Sequence, residues 1–564
     1  MANRSSIRYS PFAIRPGTYM NQNAKQSAAP SLQQILREVE TALRAGDMLR
    51  AMALSDRAVA DSHEHPNLLT LAAHERLRLN DSEKALVYAQ RARELAPRNA
   101  DVLNVLGLCL AKAGRAREAL RIYDSALRQW PNAAVVHFNK ACALEDLSEL
   151  AHAKNHFERA VALQPKYAEA LSHLATLAAQ RGDVKAARDY ATRALALDAR
   201  QASATLALAM ADVDEKQFDQ AMPRLNALLR DPTLSPVNRA IAQSLIGDCL
   251  DGLNRIDEAI ATYAQANAIL RTHYVNAFAA PGIETALARV RRLTNFFRIH
   301  EWTPSTPGKS PVATHVFLVG FPRSGTTLLE QILASHEQIQ AMEERDCLID
   351  AAMEFIAPVD GLEKLVSLDG AELARFRDAY WARVGEAGIA PSKPIFIDKM
   401  PLNTVLLCLV AKLFPHAKIL FALRDPRDVV LSCFRRRFGM NAQMYGFTSL
   451  ESTAAYYDAV MELAALYRDK LDLSICDLRH EDMVADLENE TRRVCKFLGV
   501  EFNSSMLQFA ETARNRSIDT PSAAQVSRGL SRDGIGQWRR YEKQLAPILP
   551  RLAPWVARFG YTES

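Results

Sequence analysis

Alanine sets the rhythm of the first half of this chain. Ala51, Ala85, Ala119, Ala153, Ala187 and Ala221 recur every 34 residues, and Ala58, Ala92, Ala126, Ala160 and Ala194 follow by seven. Small residues at fixed columns let paired antiparallel helices approach closely, while each unit buries its remaining apolar face against its neighbours. Gly107 falls in the small-residue column of a first helix, Gly46, Gly114 and Gly182 fill the turn column, and Pro97, Pro131 and Pro165 mark repeat ends. About seven such units fit between Ser31 and Leu270. The last, around Asp257 to Ala266, is displaced by four residues, which predicts an insertion near Pro232 to Pro236.

Residues 271–311 read as a capping helix followed by the Thr/Pro/Ser-rich stretch Thr303 to Pro311, and beyond it the period changes. Short apolar runs at 314–319, 395–397, 418–423 and 473–478 predict strands. Helices are predicted at 326–335, around 347–357 and 371–387, and at 402–413, 426–437, 451–470 and 482–497. Such alternation means a parallel sheet with helices on both faces. The chain therefore divides into a disordered tail (1–30), a helical solenoid with its capping helix (31–300), a linker (301–312) and a P-loop-like α/β domain (313–564).

Composition changes this picture little. At 564 residues and 49% hydrophobic content there is enough apolar surface for two cores. A net charge of +4 gives no case for nucleic-acid binding. Eight cysteines without paired spacing signal neither a disulfide framework nor a zinc site. No run of eighteen apolar residues occurs, and the first thirty residues lack an apolar signal core, so a soluble cytoplasmic protein is the expectation.

The chemistry concentrates after the first strand. Val316 to Val319 runs into Gly320-Phe-Pro-Arg323-Ser324-Gly325-Thr326-Thr327, a turn that opens a helix. That arrangement aims backbone N–H groups and the positive helix end at one point, which suits an anion. Gly320 and Gly325 keep Walker A spacing, but Thr326 stands where that motif has its lysine. A triphosphate is then poorly served, and a shorter anion fits better. A second strand, Lys418 to Leu423, runs into Arg424-Asp-Pro-Arg427-Asp428, with Ser432 about two helical turns on. Arg424 and Ser432 make a second phosphate site at the carboxyl ends of parallel strands.

The pair FPRSGTT and LRDPRDVVLS resembles the 5′-phosphosulfate loop and the 3′-phosphate motif of sulfotransferases that use 3′-phosphoadenosine 5′-phosphosulfate. The arginine form of the first motif is most similar to the protein-tyrosine sulfotransferases, and the resemblance spans about residues 312–545. It implies that Arg323, Ser324, Gly325, Thr326 and Thr327 bind the 5′-phosphosulfate, and Arg424 and Ser432 the 3′-phosphate, with Arg427 a further contact. It also implies a general base at Glu344, with Glu343 the rival, because Arg345 and Asp346 depart from the family's order after the base. Lys399, in Asp398-Lys399-Met400-Pro401, and Arg323 would stabilise charge on the transferring group. The family's late serine has no counterpart at Gly536-Gln537-Trp538, which leaves its job to Ser531 or to no residue, and Arg528-Gly529 resembles a basic-Gly motif that helps hold the 3′-phosphate. The repeats resemble tetratricopeptide repeats and imply a protein or peptide acceptor.

On this reading the sulfonucleotide is the co-substrate, no metal is expected, and the acceptor hydroxyl belongs to a protein tyrosine. A sugar or small-molecule acceptor, a nucleotide-dependent kinase and a non-catalytic scaffold are the alternatives. The animal enzymes of the family are membrane-anchored, and this chain departs from them there. Arg435, Arg436 and Arg437 are either a solvated helix face or a guide for an acidic acceptor, and Arg532, Arg539, Arg540 and Lys543 have the same two readings.

Overall fold

The computed structural model describes residues 31–147, 149–368, 370–511 and 529–561. The expected tail at 1–30 and Arg528 lie outside the described residues. Two compact units result, one of residues up to 179 with 183–211, the other of 180–182 with 212–564.

The first unit is made of paired antiparallel helices, such as Ala100–Lys112 with Ala116–Gln129 and Ala134–Asp146 with Leu150–Leu163. The alanine column explains their closeness: Ala51, Ala85, Ala119, Ala153 and Ala187 are each 0% exposed. Gly107 is needed for the same reason, since a Cβ there would come within 2.4 Å of the Tyr123 ring. Between helices, Asp47, Asp81 and Asp183 accept from backbone N–H groups of the first turn that follows, so the polar breaks in the pattern are helix caps. Cys142 and Glu145 share a face of Ala134–Asp146 and meet His173 of the helix Ala168–Gln180, a grouping that sequence spacing did not signal. His173 Nδ1 and Glu145 pair at 2.7 Å.

The second unit opens with the helix Phe218–Leu229 and then the last repeat. Its first helix, Pro236–Gly252, has 17 residues against 13 in Ala134–Asp146, and the four extra residues account for the displaced pattern. Gly247 then meets the Tyr263 ring as Gly107 meets Tyr123, with a Cβ at 2.6 Å. The next helix, Ile256–Phe278, is followed by Ala286–Ile299. Ala286, Val290, Leu293 and Phe297 enter the same apolar cluster as Phe317 and Phe421 of the sheet. The 301–312 linker thus marks a change in secondary structure inside one compact unit.

The sheet is fully parallel with strand order β2-β3-β1-β4-β5: β1 Thr314–Gly320, β2 Ile339–Met342, β3 Ile395–Lys399, β4 Lys418–Leu423 and β5 Ser474–Arg479. β2 was not expected, because four residues at a sheet edge are too few to show a period. Alternate strand residues face opposite layers. Phe317, Val319, Phe396 and Phe421 point to the layer that contains Leu450–Lys470. Val316, Leu318, Ile397 and Leu420 point to the layer of Thr326–Ala334 and Leu487–Leu498. Strand order reverses at β1, so the crevice at the carboxyl ends of β1 and β4 is where a ligand is expected. No helix among the described residues is long and apolar enough to cross a membrane.

Candidate active site

At the end of β1, Gly320 passes so close to β4 that a Cβ would lie 2.6 Å from the Ala422 carbonyl oxygen. Thr404 braces this point, its hydroxyl donating to the Gly320 carbonyl at 2.7 Å. The chain then turns through Arg323, whose φ of 72° is left-handed, and Gly325, at φ 97°, caps the helix Thr326–Ala334. An arginine in that region stores strain that surrounding structure must hold, a pattern concentrated at functional sites.

Arg424, at the end of β4, does part of that holding. Its Nη1 donates to the Arg323 carbonyl at 2.9 Å and its Nη2 to the Gly534 carbonyl. Its Nε is buried and has no hydrogen-bond partner among the described residues. Arg323 Nε donates to Ser432 Oγ at 3.1 Å, so the two predicted anion motifs meet. Burial and the charges of Arg436 and Arg424 press the Arg323 guanidinium below its usual range. A site crowded with like charge favours an anion.

The helix Pro426–Arg435 is fixed from beneath. Asp425 caps it, accepting from Arg427 N at 2.9 Å, and the Arg427 side chain folds back onto Asp425 at 2.7 Å while stacking 3.8 Å from the Trp538 ring. Arg427 is thereby a buried structural residue. Asp428 accepts from Gly536 N at 2.7 Å and Trp538 N at 2.8 Å, tying the late loop to the same helix. This loop brings Ser531 to the wall of the cleft, its hydroxyl accepting from Asp533 N at 3.1 Å.

These elements enclose a cleft of about 520 Å³. Glu344 is on its wall; Glu343 is not. Lys399, at the end of β3, is 0% exposed and reaches Glu344 Oε1 at 3.0 Å and Glu330 Oε2 at 3.3 Å. Burial alone would lower the lysine's pKa; Glu344, Glu330 and Glu343 outweigh it and hold the ammonium charged. Ser324, Thr326 and Thr327 are buried along the loop and the first helical turn.

Three features escaped the sequence reading. His480, after β5, lines the cleft, and burial, with Arg424 and Arg323 nearby, pushes it down to about 3, so its ring is neutral at pH 7. A Cβ at Gly325 would lie 2.8 Å from its Nδ1. Its strand-end position was the available signal. Arg435, Arg436 and Arg437 do not form one solvated face: Arg435 pairs with Asp251 and Arg437 with Asp248 at 2.7 Å, and Arg435 and Arg436 both line the cleft. Glu330 gave no signal, because a glutamate one turn into a helix reads as surface. Arg540 likewise pairs with Asp251, at 2.9 Å.

The residues fit a doubly phosphorylated nucleotide: two arginine-lined positions, an unpartnered buried Arg424 Nε and a loop with glycine where its backbone must pass closely. Comparison with known proteins places the domain by family. Residues 315–504 match the sulfotransferase family, and residues 70–134, 138–202 and 206–270 match the tetratricopeptide repeat. A protein of Aquifex aeolicus (strain VF5) described only as uncharacterized is 26% identical over 357 residues, 60% of this chain but 44% of its own length. Protein-tyrosine sulfotransferase 1 of Danio rerio is 26% identical over 259 residues, 44% of this chain and 72% of that protein. Nodulation protein NoeE of Sinorhizobium fredii (strain NBRC 101917 / NGR234) is 28% identical over 220 residues, 34% of this chain and 51% of that protein. This chain carries a domain of the sulfotransferase family behind a tetratricopeptide-repeat array.

Proposed function

We propose that the protein transfers a sulfuryl group from 3′-phosphoadenosine 5′-phosphosulfate to an acceptor hydroxyl, a protein tyrosine being the acceptor best matched to its relatives. The observation that carries this is the meeting of Arg323, Ser432 and Arg424 in one cleft whose wall also holds Glu344, paired with Lys399. Arg424 and Ser432 would hold the 3′-phosphate. Arg323, Ser324, Thr326, Thr327 and the N–H groups at the helix start would hold the 5′-phosphosulfate. The sulfonucleotide supplies the transferable group.

Glu344 accepts the proton of the attacking hydroxyl, the usual task of a carboxylate within hydrogen-bond reach. Lys399 and Arg323 stabilise charge on the phosphate oxygen as its bond to sulfur breaks, where fixed cations in a water-poor site act most strongly. His480, neutral, adds a polar wall without further charge. The repeats would bring a protein or peptide to the catalytic domain.

The test is incubation with 35S-labelled sulfonucleotide and a tyrosine peptide, in parallel with a sugar acceptor, followed by mass spectrometry. Label on tyrosine supports the full reading, and label on sugar alone moves the acceptor class. Binding that ignores the 3′-phosphate would overturn the nucleotide assignment.

A further inference from the structure

The conserving feature of a general base is that it can both lose and take a proton, yet Glu344 sits 3.0 Å from a buried ammonium. A carboxylate that is the sole counterion of a buried lysine resists protonation, because accepting a proton would strand the charge. Here the lysine has a second counterion. Glu330 projects from the helix Thr326–Ala334 to 3.3 Å from Lys399 Nζ, and both side chains are 0% exposed. Gln331 Nε2 donates to the other oxygen, Glu330 Oε1, at 3.3 Å.

We propose that Glu330 is a positioning residue of the sulfuryl-transfer site: it holds Lys399 from below as a permanent counterion, so that Glu344 is free to take the acceptor's proton. The proposal rests on the preceding functional reading. Two carboxylates about one ammonium leave one negative charge in excess, and the exposed member is the one that can release the lysine. Glu344, with 39% side-chain exposure, is that member. When Glu344 takes a proton, Lys399 remains paired with Glu330 and its ammonium keeps its place at the end of β3. Other charges face Glu344 as well. Arg323 approaches from the anion loop, Glu343, Arg345 and Asp346 from its own loop, and Lys399 from β3, where Asp398 points to the opposite layer. Among these, Glu330 is the negative group that contacts the lysine with no exposure to solvent.

Glu330→Gln in the full chain tests this, because it keeps shape and removes charge. Adenosine 3′,5′-bisphosphate is the probe, and its affinity is measured from acid to neutral pH. A cleft that carries less negative charge binds the bisphosphate more tightly, so affinity inflects where the charge of the cleft changes. In Glu330→Gln the inflection should move about one unit to lower pH, and the acid limb of kcat/KM should move with it. Glu330→Asp keeps the charge and should leave the inflection in place. An unmoved or upward-moving inflection in Glu330→Gln overturns the proposal, as does an unfolded Glu330→Gln protein, which would make the residue structural. A wild-type protein that transfers no sulfate would end the functional reading, while a shifted inflection in Glu330→Gln would still show that Glu330 and Glu344 share the charge of Lys399.

Discussion

Glu344 and Glu343 are adjacent in sequence and differ in what they touch. Glu344 lines the cleft and reaches Lys399, whereas Glu343 acts on that lysine only at longer range. Glu344→Gln should therefore lower kcat by about two to four orders of magnitude, the usual worth of general acid–base catalysis. Nucleotide affinity should change little, and Glu343→Gln should cost far less; the reverse order in a single-turnover assay would move the base by one residue. Arg424 is not the simple exposed ligand contact that its motif implied, since it is 9% exposed and holds two loop carbonyls. Arg424→Ala should weaken nucleotide binding by about ten- to a hundredfold and also loosen the late loop, visible as faster proteolysis there. Asp398 offers a pH signature of folding. Burial raises its carboxyl from 3.8 to about 7 against the hydrogen bond from Tyr380. The folded value lies above the unfolded one, so this contribution to stability is complete at acid pH and fades as pH rises toward 7. Asp398→Asn should lack that decline; parallel melting curves for the two proteins between pH 4 and 8 would disprove it. Residues within contiguous motifs, such as Arg323 and Ser432, were legible in the sequence. Glu330 and His480 were not, because their roles arise from contacts across elements that no spacing announces.

Elements were legible in proportion to their length and periodicity. β1, β3 and β4 are apolar runs buried on both faces, and they and the half-exposed edge strand β5 match the sequence expectation within a residue or two, whereas β2 is a short edge strand. The helix Pro426–Arg435 was expected from Pro426, but its anchoring was not: Asp425 holds its start and Asp428 holds Gly536 and Trp538. The segment expected as one helix at 482–497 is broken at Asp486, whose side chain caps the helix Leu487–Leu498. Because Asp428 satisfies two backbone donors, Asp428→Ala should destabilise the catalytic unit by about 2 to 5 kcal/mol, one to a few for each donor left unpaired. Urea unfolding followed by near-UV circular dichroism measures this, and a loss under 1 kcal/mol would show that water replaces the carboxylate easily.

At the scale of the molecule, the repeat array and the α/β domain were both visible as a change of period, from 34 residues to short alternating elements. What the sequence did not reveal is where the second compact unit begins. It begins at Asp212, because the last repeat and the capping helix supply part of the catalytic unit's own core and counter-charges. Phe297 is 1% exposed and Leu293 0%, and both lie in the cluster that packs under the sheet. Asp251 receives Arg435, Arg540 and the Tyr541 hydroxyl, and Asp248 receives Arg437, so the helix carrying Ser432 is steadied through its far end. A chain that starts at residue 301 removes those partners, exposes apolar side chains of the core and takes the aspartate partners away from three arginines, Arg435, Arg437 and Arg540. A chain that starts at Ala202 keeps them, with the whole helix Ala202–Asp214. The 202–564 chain should fold cooperatively and bind adenosine 3′,5′-bisphosphate as the full chain does, while 301–564 should aggregate or melt lower with weakened affinity. Equal melting and equal affinity for the two truncations would show that the last repeat is dispensable to the site. If 202–564 binds nucleotide normally but modifies macromolecular acceptors poorly, while small acceptors are used as before, the missing repeats are what bring the acceptor to the cleft.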